Sequence, residues 1–467
     1  MPSFPKYKPD LPDFNSEGLV TCKNVYPFAG GYKPFYGLSS ATGALPAAWV
    51  GGGAFQYNGT NAMLGATAAA LYSHSGSTWT SKLAVVTTTA WHFAQFGDLA
   101  ICTNGGAVVK YTISTGLAAN LAGSPPSAAY SAIVKDQVFL AGNGSADQTV
   151  YWSGLNNAEG WTIGVNQCDD QIIPDNGPIT GISGGEFGLV FQGGAINIFE
   201  YVGSPLIYTR RKVTDQVGCM AHGSIGRHNR RHYFLSFRGF YYYEDGQVVP
   251  IGEDAVDNTF LDSYTLSQIR ASMRCTVDPG RNLVIWSMPD RLWIYNWAID
   301  AWSVVEISGL VGICVGLTAS ATLESIAVTY PSLETVTPNL DDAFWNGDGQ
   351  PLMLLIKTDF IGYTFSSGTT LEATLKTAKI EKFRGRSTET QFVFMDSDCA
   401  AITLNVDCSR TLGGSQTRKT SAEFRPNGDI PIRASGRFQQ YEFIIGAGAA
   451  WNYCQGYEVE ATPGGRQ

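Results

Sequence analysis

Between Ala47 and Glu306 one local pattern returns roughly every 40 to 50 residues, and a period of that length constrains the fold more than any other feature of the chain. A unit is three or four short apolar runs separated by polar, glycine-containing turns, with an aromatic residue near its end. The first unit is AFQYNGTNAMLGATAAALYSHSGSTWTSK, and the second is WHFAQFGDLAICTNGGAVVKYTI, where Asn104-Gly105-Gly106 predicts a tight hairpin turn. Four more follow, containing VFLAGNGSADQTVYWSG, ISGGEFGLVFQGGAINIFEYVG, YFLSFRGFYYYEDGQVVPIG and NLVIWSMPDRLWIYNWAIDAWSVVEI. A single such sheet cannot bury both of its faces, so units of this kind must stack on their neighbours. The sequence therefore predicts an all-β protein built on a β-propeller of six blades, with a degenerate seventh unit between Val311 and Asn346. An open array of sandwiches is the competing arrangement.

On either side of residues 47–346, assigned to the propeller, the texture differs. Residues 1–46 carry Pro2, Pro5, Pro9 and Pro12 before Phe14, which blocks a helix and predicts an extended arm followed by strands packed on another element. Residues 347–467 contain longer alternating runs such as TTLEATLKTAKIEKF, AITLNVDCSR and RFQQYEFIIGAGAAW, which predict a β-sandwich or platform domain. Its last strands are placed to pair with the arm.

Composition limits the function classes. Charged residues are 15% of the chain, against about 25% in an ordinary soluble domain, while Gly counts 53 and aromatics reach 12%. The net charge of −9 lacks the basic footprint of a sequence-specific DNA binder. A mildly acidic wall still suits a conduit that must release DNA. The nine cysteines show no CxxC and no Cys/His ligand spacing, so buried free thiols in a reducing compartment are expected, and no metal or other cofactor. No secretory signal and no membrane-spanning run is evident, which points to synthesis in a cytoplasm.

The strings FAQFGDLAICTNGG, LAGSPPSAAYSAIVKDQVFLAG, VYWSGLNNAEGWTIG, ISGGEFGLVFQGGAINIFEYVGSP, YFLSFRGFYYYEDGQVVPIGEDAVDNTF and LWIYNWAIDAWS resemble, in this order, the core of the tail nozzle (tail tubular) proteins of podoviruses. The likeness lies between Trp91 and Ser303. It implies a non-enzymatic virion protein of the phage tail that forms a homo-hexameric ring around the DNA exit channel. The ring would sit below the portal and adaptor (head-to-tail connector) proteins, near the tail fibres or spikes, and pass viral DNA non-specifically.

Several strings invite a chemical reading. Arg227, His228, Arg230 and Arg231, with His222 and His232 beside them, form the densest basic run and are candidates for DNA-channel or subunit contacts, or for a solvated turn at a blade edge. Ser73-His74-Ser75-Gly76-Ser77-Thr78-Trp79 resembles the Asp-box of sialidase propellers without its Asp, and that box is itself a structural hairpin. Arg210, Arg211, Arg270, Arg274 and Tyr241 supply the residue types of a sialidase, and Asp169-Asp170, Asp254/Asp257 and Asp341-Asp342 those of a glycosidase. Neighbouring carboxylates on a strand point to opposite faces, so the tandem pairs make poor dyads. Gly181-Ile182-Ser183-Gly184-Gly185 matches G-x-S-x-G, but EFGLVFQGG after it predicts a strand where a nucleophile elbow needs a helix. The leading expectation is the tail nozzle. A receptor- or glycan-binding propeller (a virion adhesin) is the alternative, and a glycoside hydrolase ranks below it.

Overall fold

The computed structural model describes residues 2–87, 89–317 and 351–466. Among these residues, seven four-stranded blades form a closed ring, and a two-sheet platform is fused to the sixth. Blade 1 comprises Trp49–Tyr57, Thr60–Thr67, Ala70–Ser75 and Thr78–Ala84, and blades 2 to 6 repeat this antiparallel meander. The innermost strands of blades 2 to 6 are His92–Phe96, Tyr130–Val134, Ile179–Ser183, Gly226–His228 and Arg274–Asp278. The six units expected from the sequence are the first six blades. The seventh pairs Leu310–Leu317, Pro351–Lys357 and Gly362–Thr364 with Ser39–Ser40 from the start of the chain.

Why the sequence builds blades follows from strand periodicity. Alternate side chains leave a strand on opposite faces, and here both faces are covered by neighbouring blades. In blade 4, Leu189 and Phe191 pack toward blade 5 while Val190 packs toward blade 3. Ile285 of blade 6 faces blade 7, and the adjacent Trp286 faces blade 5. Apolar runs such as LVIW and GLVF are thus continuous because each blade is buried twice. The result is seven apolar clusters, one per seam, and the cluster joining Leu354 and Ile356 of blade 7 to Trp49 and Met63 of blade 1 closes the ring. That closure excludes the open array.

Near the axis the strands converge and side chains run out of room, which selects glycine. A Cβ on Gly51 would meet the Trp91 backbone, and one on Gly312 would strike the Trp49 ring across the closing seam.

The platform begins where blade 6 ends. Leu19–Lys23 pairs in parallel with Ala301–Glu306 through Lys23 and Val304, and its other edge pairs with Ala373–Thr377. One sheet therefore runs without a break from blade 6 through the arm into Phe438–Ile445, Ile402–Ser409 and Thr417–Ser421. Asn24, in the left-handed region at φ 59°, rivets the junction, since its Oδ1 accepts from Glu306 N–H at 2.9 Å and its Nδ2 donates to Glu372 O at 2.8 Å. The second platform sheet contains Val25–Phe28, Gly31–Pro34, Cys454–Arg466, Arg386–Ser397 and Asp429–Gly436. Phe4 of the arm lies edge-on against Phe443 at 5.4 Å, inside the core shared by both sheets.

Two boundaries differ from the sequence expectation. The division expected at 346/347 lies outside the described residues, as does most of the degenerate unit at Val311–Asn346. Residues 351–364, assigned to the C-terminal domain, are strands of blade 7, and Ser39–Ser40, assigned to the arm, is that blade's outer edge. The blade is assembled from pieces far apart in the chain, so no local period marks it. If the Gly312–Trp49 contact sets the closing seam, Gly312→Val should lower stability by about 1–3 kcal/mol, read as a lower urea midpoint at unchanged slope.

Candidate functional site

The residues that open each innermost strand meet at one level of the propeller axis. Trp49, His92, Tyr130, Ile179, Arg274 and Leu310 come from six blades, and His222, in the 3-10 turn His222–Ser224, serves for blade 5. At this level side chains from blades 2, 3 and 5 meet as a plug near the axis. The His222 ring meets the His92 ring edge-on with centroids 4.2 Å apart and stacks on Tyr130 at 4.6 Å. A larger cavity of about 1360 Å³ and a smaller one of about 440 Å³ lie beside these groups. Trp49, His92, His222 and Arg274 border both.

Burial keeps the plug uncharged at its imidazoles. Desolvation, with Arg274 adding repulsion, holds His222 down to about 3. His92 is pushed well below the ordinary histidine value by the same burial and by His222 and Arg274. The His222 Nδ1 accepts from Ile182 N–H at 3.4 Å, which leaves its proton on Nε2.

The basic run is not gathered into one surface. Arg227 lines the smaller cavity, and its Nε donates to Asn229 O at 3.0 Å. His228 stacks on Trp297 at 4.8 Å. Arg230 pairs with Asp245 at 3.1 Å, and Arg231 pairs with Glu244 at 2.6 Å while lying over the Tyr242 ring. Arg230 and Arg231 are thus neutralised within their own blade, at the hairpin turn that Asn229 makes at φ 54°.

Nor are the hydrolase sets assembled. Arg210 and Arg211 lie on the outer strand Ile207–Thr214 of blade 4 and Tyr241 on the third strand of blade 5, whereas Arg270 and Arg274 border the larger cavity. Asp169-Asp170 is on the outer strand of blade 3, and Asp341-Asp342 lies outside the described residues. Ser183 does meet a histidine, with Oγ 2.8 Å from His232 Nδ1, a contact the sequence reading missed. Both groups are buried, at 7% and 1% exposure, and the strand Gly188–Gln192 follows where an elbow needs a helix. Ser73–Trp79 is the outer hairpin of blade 1, with Trp79 Nε1 donating to Gly43 O at 2.9 Å.

Asp257 begins the helix Asp257–Ser263 and accepts from Phe240 N–H at 2.9 Å. Burial, helped by Asp10 and Glu253, pushes its carboxyl up to about 7. Gly239 and Gly252 leave the space that it fills. All nine cysteines are free, and no cluster of metal-ligating side chains occurs among the described residues.

No protein-family model and no curated protein matches the chain. Among solved structures it is similar to the extracellular domain of a putative hybrid two-component system from B. thetaiotaomicron at 10% identity and TM-score 0.44, covering 86% of this chain and 47% of that one. BamB from Moraxella catarrhalis matches at 12% identity and TM-score 0.39, covering 73% and 94%. The Pan2 WD40 domain of Neurospora crassa matches at 8% and 0.42, covering 70% and 94%. The chain thus spans about half the length of the first of these. Likenesses this distant assign no role, and the propeller rests on the strand pairing itself.

Two measurements check the electrostatics. His92, His222 and His232 should stay neutral from pH 8 to pH 5, so NMR titration should show three imidazoles whose ring resonances do not move over that range. Asp257 retains in the folded state a proton that the unfolded chain releases above its ordinary carboxylate value. Its burial therefore costs stability as pH rises toward 7, by at most about 1.4 kcal/mol per pH unit. Asp257→Asn should remove that slope, so its urea midpoint relative to the native chain should rise between pH 4.5 and pH 7.5.

Proposed function

We propose that the chain is a structural, non-enzymatic subunit of the tail nozzle of a short-tailed phage, assembled as a hexameric ring below the adaptor. The carrying observation is the sheet that runs unbroken from blade 6 into the platform. It makes propeller and platform one stiff body, which suits a ring wall that must keep its shape while DNA passes. The ordered strings between Trp91 and Ser303 supply the family direction, and the low charge suits a surface largely covered by neighbours.

A lateral contact has a physical candidate at the rims of blades 3 and 4. Ile163, Val165 and Ile172 of blade 3 and Val202 and Leu206 of blade 4 are all more than half exposed. The two groups are tied together where the Tyr201 hydroxyl donates to Gln167 Oε1 at 2.8 Å. DNA in this reading runs along the axis of the ring of subunits, since His92, Tyr130 and His222 meet within the propeller's own channel.

The test is immunogold electron microscopy with antibody to this chain on particles from the source lysate. Gold confined to the short tail below the portal vertex is the expected result. Gold on peripheral fibres would support the adhesin instead, and abundant free protein with unlabelled particles would overturn a virion role.

A further inference from the structure

The larger axial cavity has a charge that its own walls do not answer. Arg274 opens the innermost strand of blade 6, and its Nη1 donates to Met273 O at 2.7 Å. Its Nε is enclosed and, among the described residues, has no partner. Gly223 lets the guanidinium lie here, since a Cβ at that position would crowd Met273 O and Arg274 Nη1. Arg270, one turn earlier on the helix Leu266–Ser272, stands at the cavity's rim with its Nε donating to Met220 O at 3.2 Å. Among the described residues, neither cavity wall contains an Asp or a Glu. This is a pronounced segregation in a chain with 40 acidic against 31 basic residues.

A cleft lined by one sign of charge with low-dielectric walls concentrates counter-ions. A guanidinium offers parallel donors that match the oxygens of a carboxylate or a phosphate. The His222 Nε2 proton and the hydroxyls of Ser267 and Ser272 add uncharged donors at the wall. Phe237 and Leu266, both exposed at the mouth, and Tyr130 and Met220 inside it, offer apolar surface to the body of a ligand.

We propose that the larger axial cavity is an oxyanion-binding site, in which Arg274 at the floor and Arg270 at the rim hold a phosphate or carboxylate group of a small ligand. The site is independent of the nozzle reading, because it needs neither the ring nor DNA.

Isothermal titration of the full chain with inorganic phosphate, with citrate, and with sodium chloride at matched ionic strength tests it. Saturable binding of phosphate or citrate that chloride does not reproduce is expected, and the anion that binds names the ligand's acidic group. Arg274→Gln should weaken that binding by about tenfold or more, the effect of losing one charge-assisted hydrogen bond. Arg270→Gln, a change at an exposed position of the helix Leu266–Ser272, should weaken it in the same direction. Arg410→Gln, exposed on the platform, should leave it unchanged. No saturable binding to the native chain, an equal response to chloride, or undiminished binding in Arg270→Gln and a folded Arg274→Gln would overturn the proposal.

Discussion

Everything in this structure depends on sheets that have two apolar faces and therefore cannot exist singly. Each blade supplies half of two seams, so removing one blade would expose apolar surface on both of its neighbours. The aromatic content is concentrated where that demand is greatest. Between blades 5 and 6, Phe240 lies 4.7 Å from Trp286 and 5.0 Å from Trp302, and the two indoles stack at 5.6 Å. Rings of this size bury about 150–250 Å² each, and their polar ends are also answered: Trp286 Nε1 donates to Ser224 O and Trp302 Nε1 to Ile251 O, both at 2.8 Å. The same cluster continues into the platform core, so blade 6 is the keystone of both parts.

A ring of two-faced sheets must still be closed, and the chain does this with its beginning. Ser39–Ser40 completes blade 7 against Gly362–Thr364, and Trp49 then starts blade 1 against Gly312. Just upstream, the arm has already been fixed at several points. Asp10 accepts from the Asn258 and Thr259 amides at 2.7 and 2.8 Å, so an arm residue caps the first turn of a helix nearly 250 positions away. Phe4, Leu19 and Cys22 sit in the platform core. Folding of the arm, closure of the propeller and formation of the platform are therefore coupled through one stretch of chain.

That coupling explains what could and could not be read from the sequence. Blades 1 to 6 are continuous in the chain, and each leaves its period, its turn glycines and its closing aromatic in order, so both the fold class and the six units were legible. Blade 7 left only the degenerate unit that begins at Val311, because its four strands come from distant parts of the chain. The fusion of blade 6 to the platform was equally silent. It depends on the parallel pairing of Lys23 with Val304 and on Asn24 bonding at once to Glu306 and Glu372, contacts that leave no spacing to recognise.

The site was less legible than the fold, for an electrostatic reason. Density of charge along the chain drew attention to residues 227–231, yet two of those arginines are answered by Glu244 and Asp245 from the neighbouring turn of the same blade. Arg270 and Arg274, singled out in the sequence only as residue types of a sialidase, stand four residues apart, and only the convergence of the blades gives them a shared cavity without acids among its described walls. Net charge sums over a surface, whereas a ligand entering the axis meets the field of the few side chains around it. A chain at −9 overall can therefore present a cationic pocket, and the sign that matters there is set by blade geometry: in six of the seven blades the first residue of the inner strand is delivered to the axis whatever its neighbours in sequence carry.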